Sequence, residues 1–437
     1  MRILLITPEN PHLRAFRRGQ TNNFVQLTMP YLAAYVQKPD SVTLVDEYNQ
    51  RVCFDAPVDL VGITCNTPNA RHVYRMADEF RRRGKMVVLG GPHPTLLPEE
   101  AAAHADAVVV GEADETWPAL LSDARAGRLQ PLYRSTSAPS LERLPWARRD
   151  LIRGRGWLGS TVVATRGCPH RCSFCNLRQI YHTQLRFRPV RQVADEIRSL
   201  PSPIFTFWDD QLFMDPDYAM RLFQELEGVG KRWAAMVTLN STRNESLLKA
   251  ASRAGCSCLF LGLESFSPES LRLANKSFNV LETYYEGIER LHRHRIAVQA
   301  GVIFGFDGDD LDTFDHTLRE TIRVGLDGAT VSILTPFPQT PIFEQLRAEG
   351  RLLTDDWSYF NGKTAVAFRP ARMTPEQLWD GYMRFRRGFF SWRSILGRVG
   401  VRPLQALALN WGYRRALGNR IPGHPIPAGP VETATSR

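Results

Sequence analysis

The 437-residue chain contains no run of about 18 uninterrupted apolar residues, which removes a conventional transmembrane helix. The opening does not read as a secretory leader: MRILLITP offers only a short apolar run, and the polar NPHLRAFRRGQ behind it has no small-residue cleavage site. The opening reads instead as a first buried strand. Cysteine is scarce and odd in number, seven in all, with three packed into eight residues. That usage argues against a disulfide framework and for metal binding in a reducing, cytoplasmic compartment. Cys53, Cys65, Cys256 and Cys258 lie in or beside strand-like runs and read as small buried hydrophobes. Apolar and charged contents of 43% and 23% are near the globular average, so disordered and fibrous classes do not fit most of the chain. No nucleic-acid reader pattern is present, and nucleic acid is not an expected partner.

What is present points to an α/β protein of two or three domains, since one core rarely organises this length. In the first 112 residues RILLIT, VTLVDE, DLVGITC, KMVVLGG and AVVVGE are continuous β-branched runs of the kind buried on both faces of a parallel sheet. Helix-length segments such as ARHVYRMADEFRRRGK separate them, so a doubly wound, Rossmann-like domain is expected over 1–125. Such sheets bind ligands outside the carboxyl ends of their strands. Here those ends carry Thr7 and Pro8, Asn66 and Thr67, Gly90, Gly91, Pro92 and His93, and Gly111 with Glu112. Plain βα turns use the same residue types, so the pattern alone does not separate a ligand site from tight turns.

A polar, Pro-containing connection over 126–156 leads into six more strand candidates: STVVATRG, IFTFWDD, WAAMVTLN, CLFLGLES, AVQAGVIFGF and GATVSILTPF. Helical patterns between them predict a partial (β/α)6 barrel over 157–345. Barrel active sites sit at strand carboxyl ends, which here bear Arg166 to Cys168, Asp209 and Asp210, Asn240, Glu264 and Ser265, and Gly305.

Cys168, Cys172 and Cys175 form a C-x3-C-x2-C run directly after the first barrel strand. Thiolates are soft ligands that select zinc, copper(I) or iron–sulfur clusters, and three of them leave one coordination position open. A structural zinc site completed by His170 or a distant cysteine is the plainer alternative, but closed zinc sites normally pair ligands from two separated knuckles.

At ATRGCPHRCSFCN the chain resembles the radical S-adenosylmethionine (SAM) superfamily, whose motif places an aromatic, here Phe174, before the last cysteine. The resemblance implies a 4Fe-4S cluster on Cys168, Cys172 and Cys175, with S-adenosyl-L-methionine chelating the open iron. Later strand ends stand in the superfamily's order for SAM binding: Asp209 and Asp210 in WDDQLF, Asn240, Gly262, Glu264 and Ser265 in LGLES, and Ile303 and Gly305 in GVIFGF. The first 120 residues are similar to the cobalamin-binding domain of B12-dependent radical SAM proteins, on DLVGITCNTPNA, KMVVLGGPHPTLLPEEA and HADAVVVGEADETWPALL. This resemblance implies cobalamin at Thr7, Pro8, Asn66, Thr67, Gly90, Gly91, Pro92, His93, Gly111 and Glu112.

Two features depart from relatives. No D-x-H-x-x-G stretch exists, so cobalt is expected to lack a histidine ligand, and Gln339 stands where relatives often carry Gly. The implied reaction is reductive cleavage of SAM, hydrogen abstraction from an unactivated carbon and methyl transfer from methylcobalamin, fed by an external one-electron donor such as flavodoxin or ferredoxin. No catalytic side chain is assigned. A cyclisation or rearrangement enzyme with the same cofactors, and a cobalamin-free or partner-binding module, are the alternatives. The substrate, a small or lipid-like molecule, is not legible from loops without a transferable motif. From Arg351 to Arg437, fourteen Lys and Arg face five Asp and Glu. A basic, mainly helical region is expected over 346–420, packed on the barrel or lying on an anionic membrane surface, with a disordered tail over 421–437.

Overall fold

The computed structural model describes residues 1–14, 26–135, 137–153, 160–181, 183–399, 407 and 410–414. Two six-stranded parallel sheets carry the architecture. The first holds β1 (Arg2–Thr7), β2 (Ser41–Asp46), β3 (Leu60–Thr64), β4 (Met86–Gly90), β5 (Ala107–Val110) and β6 (Leu132–Arg134), in spatial order 2-1-3-4-5-6. β3 and β5 are buried at every position. A sheet covered on both faces demands this, and helices supply the cover. Helix Ala70–Arg82 lays Val73, Tyr74, Met76, Ala77 and Phe80 on one face, and helix Thr116–Arg125 lays Trp117, Leu120 and Leu121 on the other. The strand order reverses between β1 and β3, and open sheets of this kind bind ligands at such a switch point.

The doubly wound expectation holds, with one change of extent. β6 falls inside the stretch read as a connection, pairing Leu132, Tyr133 and Arg134 with Val108, Val109 and Val110. Further along that stretch, Leu144 and Ala147 share a small core with Leu27, Tyr31 and Val163.

The second sheet begins with β7 (Ser160–Val162). A short antiparallel pair follows, β8 (Thr165–Arg166) with β9 (Arg186–Phe187). Then come β10 (Ile204–Phe207), β11 (Arg232–Val237), β12 (Cys256–Glu264), β13 (Ala297–Phe304) and β14 (Gly328–Ile333), ordered 14-13-12-11-10-7. Sequential parallel strands with intervening helices build the wall of a barrel, and β7 and β14 remain its two edges. STVVATRG was expected as one strand. It breaks at Ala164 because the Asp209 carboxylate accepts the backbone N–H groups of Ala164 and Thr165.

Residues alternate across the barrel wall. On β12 the even positions Cys258, Phe260, Gly262 and Glu264 are partly exposed while Leu259, Leu261 and Leu263 are buried against helices. β11 and β14 alternate likewise, so solvent reaches the lumen. Helix Pro375–Phe389 opens on a capping box between Thr374 and Gln377 and buries Leu378, Tyr382, Phe385 and Phe389. Gly381 permits its close approach, since a Cβ there would lie 2.3 Å from the Phe314 ring. In the basic region Arg386 and Arg398 turn inward: Arg398 donates to Phe389 O at 2.8 Å and lies 3.6 Å above that residue's ring. These two arginines therefore belong to the packing on the barrel. The expected tail at 421–437 lies outside the described residues. No helix among the described residues is long and apolar enough to cross a membrane.

Candidate active site

Cys168, Cys172 and Cys175 lie in the loop between β8 and helix Leu177–Tyr181, all partly buried. The loop is braced from both sides. Ser173 N–H donates to Ala274 O at 3.0 Å, and Cys175 N–H to Cys172 O at 3.2 Å. The His170 ring stacks on Phe278 at 4.1 Å, and Asn240 Nδ2 in turn donates to Phe278 O at 2.7 Å. Burial pushes all three thiols above their ordinary range, Cys175 to about 12, so a metal centre would supply the deprotonation. Among the described residues no three His, Cys, Asp or Glu side chains converge on a single ion. A cluster of four irons spreads three thiolates over three metals, and the donor set fits that group better than a lone zinc.

Glu264 sits at the end of β12 with a left-handed φ of 65°. Its Oε1 accepts from Lys276 Nζ at 2.7 Å, and its Oε2 would lie 3.0 Å from a Cβ at Gly301. The pair occupies the barrel mouth beside the cysteine loop, and Lys276 opposes the burial that raises the Cys172 thiol. Lys276 had no signal in the sequence beyond being a lysine in a polar turn. Ile303 faces the lumen, and Phe174 meets Phe306 edge-on at 5.9 Å. Gly305 has a φ of 108° and donates its N–H to Asp309 at 2.8 Å.

Three members of the expected SAM set are turned elsewhere, Asn240 through its bond to Phe278 O. Asp209 is fully buried, and its carboxylate is spent on the Ala164 and Thr165 backbone. Desolvation pushes it up to about 7 against those hydrogen bonds. Ser265 Oγ is buried and accepts from Ser267 N–H at 3.0 Å, the local bond of a turn. Asp210 takes a different partner, its Oδ2 accepting from Gly167 N–H at 3.2 Å just before Cys168.

Asp210 borders a cavity of about 410 Å3 between the first sheet and the barrel. Asn66, Gly90, Gly91, Pro92, Gly111 and Glu112 line it from the sheet side, with Thr165, Arg166, Leu177, Ile180, Tyr181 and Trp208 from the barrel side. The cavity thus shares walls with the residues just before Cys168 and just after Cys175. Gly91 and Gly111 have φ of 100° and 81°, and a Cβ on Gly91 would stand 2.7 Å from Thr64 Oγ1. The turn itself demands glycine there, whatever the cavity holds.

Four residues expected around this cavity do not line it: Thr7, Pro8, Thr67 and His93. His93 is completely buried, its ring nitrogens 3.2 Å from Thr67 Oγ1 and 3.3 Å from Glu100 Oε1, and its ring edge-on to Trp357. Both polar atoms are satisfied away from the cavity, which leaves His93 outside and engages Thr67 with it. Gln339 also lies elsewhere: with a φ of 61°, its side chain donates to Leu96 O and its carbonyl accepts from Gln179 at 2.9 Å. It ties the barrel to the first sheet's side of the molecule.

A charged lattice spans the two halves in the wall of the cavity, where Arg166, Glu112 and Asp114 all line it. Arg166 donates to Glu112 at 2.9 Å and to Asp114 at 2.6 Å, and Arg186 donates to Glu112 at 2.5 Å. Burial works against the Arg166 charge, and the two carboxylates outweigh it and raise its pKa. Glu112 was expected to face a ligand, but its carboxylate is committed to these arginines.

Comparison with known proteins fits this geometry. The Radical SAM superfamily model matches residues 162–321, and the B12 binding domain model matches 34–121. The bacteriochlorophyllide d C-12(1)-methyltransferase of Chlorobaculum tepidum is 30% identical, over 93% of this chain and 90% of its own length. This chain belongs to the B12-dependent radical SAM family. The bacteriochlorophyllide d C-8(2)-methyltransferase of the same organism is 29% identical over 84% of this chain and 86% of its own. The fold matches the radical SAM methyltransferase TsrM from Kitasatospora setae, solved with cobalamin and a 4Fe-4S cluster, with a TM-score of 0.69 at 15% identity, covering 95% of this chain and 98% of that one. As a B12-dependent radical SAM enzyme, the protein uses a 4Fe-4S cluster, SAM and cobalamin.

Proposed function

We propose that the protein is a C-methyltransferase that places a methyl group on an unactivated carbon of a tetrapyrrole-type small molecule. The observation that carries this reading is the likeness, along nearly the whole chain, to two enzymes named as bacteriochlorophyllide d methyltransferases. When bound, the cluster with SAM supplies hydrogen abstraction, and cobalamin supplies the methyl group.

In this reading Cys168, Cys172 and Cys175 hold three irons, while Asn240, Phe278 and His170 brace their loop. Phe174, Asp210, Glu264, Gly262, Ile303 and Gly305 border SAM at the barrel mouth. Asn66, Gly90, Gly91, Pro92 and Gly111 form one wall of the corrin cavity, and Leu177, Ile180 and Tyr181 the other. Asp209 and Ser265 act as braces of the backbone rather than as contacts. The arginine and carboxylate lattice keeps the two walls in register. No general base is required. A small-molecule substrate and an external electron donor belong to the superfamily's chemistry.

Anaerobic incubation of the reconstituted enzyme with SAM, a reductant and bacteriochlorophyllide d tests the proposal by product mass. A gain of one methylene unit is expected. Formation of 5′-deoxyadenosine without that gain favours cyclisation or rearrangement, and a reconstituted protein with no corrinoid absorbance defeats the cobalamin role. A peripheral membrane contact of the C-terminal face is supported by Trp392, Leu396 and Trp411, exposed at 43, 65 and 52%, with Arg414 over the Trp392 ring. Failure to sediment with anionic vesicles would remove it.

A further inference from the structure

The lumen wall formed by β13 and β14 carries a cation that nothing above uses. Lys363 lies in the segment after helix Pro341–Ala348 and reaches back to the edge strand, where its Nζ donates to Val331 O at 2.5 Å and to Ser332 Oγ at 2.7 Å. Ser332 is on the lumen face of β14, between Val331 and Ile333, which pack into the barrel core. The ammonium therefore stands at the lumen wall, level with Ile303, which is the β13 neighbour of Ser332.

Its surroundings are cationic. Among the described residues no carboxylate bonds Lys363, and the charged side chain acting on it is Arg386, whose Nη1 donates to Tyr382 OH at 3.1 Å while that hydroxyl donates to Lys363 O at 3.2 Å. Burial, then Arg386, lower the lysine to about 7. Glu264, the carboxylate on the same lumen, is already paired with Lys276. The wall continues as a polar ladder, with Gln299 Nε2 2.9 Å from Thr330 Oγ1 and Thr330 Oγ1 3.1 Å from Tyr413 OH. Burial without a counter-ion works against the ammonium form, and a ligand that brings the opposite charge restores it.

We propose that Lys363, supported by Ser332, anchors a carboxylate of the substrate on the lumen wall. A carboxylate suits the site because one ammonium and one adjacent hydroxyl can each donate to one of its oxygens. This deepens the tetrapyrrole reading and rests on it: a macrocycle fixed by an acidic side arm would present a set carbon to the barrel mouth. Lys363 is then a positioning and specificity residue, separate from the cluster and SAM contacts.

The test compares bacteriochlorophyllide d, which carries a free propionate, with its methyl ester, by anaerobic absorbance titration of the reconstituted holoenzyme without reductant. The wild type is expected to bind the acid about tenfold or more tighter than the ester, the effect of one hydrogen bond to a charged group. Lys363→Met should lower acid affinity to that of the ester and leave the ester unchanged, and Lys363→Arg should recover part of the preference. Equal binding of acid and ester by the wild type would overturn the anchor while leaving the tetrapyrrole reading standing. So would a Met variant that keeps the preference. Binding of neither compound would overturn both. Should Lys363→Met fail to fold, the wild-type comparison together with Ser332→Ala, expected to shrink the preference several-fold, decides the matter.

Discussion

Replacing Arg166 with Met removes the guanidinium that joins the two halves of the molecule in the wall of the cofactor cavity. Its two ion pairs, at 2.9 and 2.6 Å, involve side chains 16, 3 and 14% exposed, and each pair has a Coulomb energy of about 6 kcal/mol at an effective dielectric of about 20, before the cost of desolvation is set against it. Glu112 retains Arg186, so the loss concentrates on Asp114, left with the Tyr35 hydroxyl at 3.4 Å. Breaking a buried pair from one side costs about 3–5 kcal/mol, and the partial exposure here places the expected value near the lower end, about 3 kcal/mol. Denaturant unfolding followed by tryptophan fluorescence reads the stability, and retention of cobalamin through desalting reads the cavity. The double variant with Asp114→Asn should recover much of the loss, giving a coupling of about 2 kcal/mol. Additivity within about 0.5 kcal/mol would refute the reasoning, because the two residues would then act independently.

Alanine at any one of Cys168, Cys172 or Cys175 is expected to abolish 5′-deoxyadenosine formation and lower iron content; a variant that keeps both is not missing a ligand. Glu264→Ala should weaken SAM binding about tenfold while sparing iron content, and unchanged SAM affinity removes Glu264 from the site. Asp209 has a folded-state pKa raised from 3.8 to about 7, so its contribution to stability is full below the lower value and is lost as pH climbs through the upper one. Asp209→Asn should flatten the stability profile in that window, and an unaltered slope would mean another group titrates. His93→Gln should leave the electron paramagnetic resonance spectrum of bound cob(II)alamin unchanged, with no nitrogen splitting from the protein; splitting in the wild type that vanishes in the variant would make His93 a ligand after all.

Both sheets were legible because their strands are continuous apolar runs buried on two faces, as RILLIT and DLVGITC are, with amphipathic helices between them. The cysteine spacing was legible because its chemistry is local. β6 escaped notice because LYR is three residues long and exposed at both ends of its span. Asp209 and Asp210 could not be told apart, since the choice of which carboxylate turns into the backbone depends on where Ala164 and Thr165 lie in space. His93 looked available because the sequence does not reveal Glu100 and Trp357 closing over it. The inward turn of Arg386 and Arg398 was hidden for the same reason: a periodic basic helix looks alike whether its arginines meet solvent or carbonyls.

The sixth strand also sets where this chain can be divided. β5 is four residues, Ala-Val-Val-Val, buried throughout, and β6 pairs with Val108, Val109 and Val110 along one side of its backbone. A fragment ending at residue 125 would expose that side as a row of unpaired N–H and C=O groups on an apolar strand, a template for recruiting other chains. Such a fragment is expected to precipitate or assemble into oligomers during expression. One carried through residue 135, which also keeps the Ser135 N–H bond to Val110 O, closes the template.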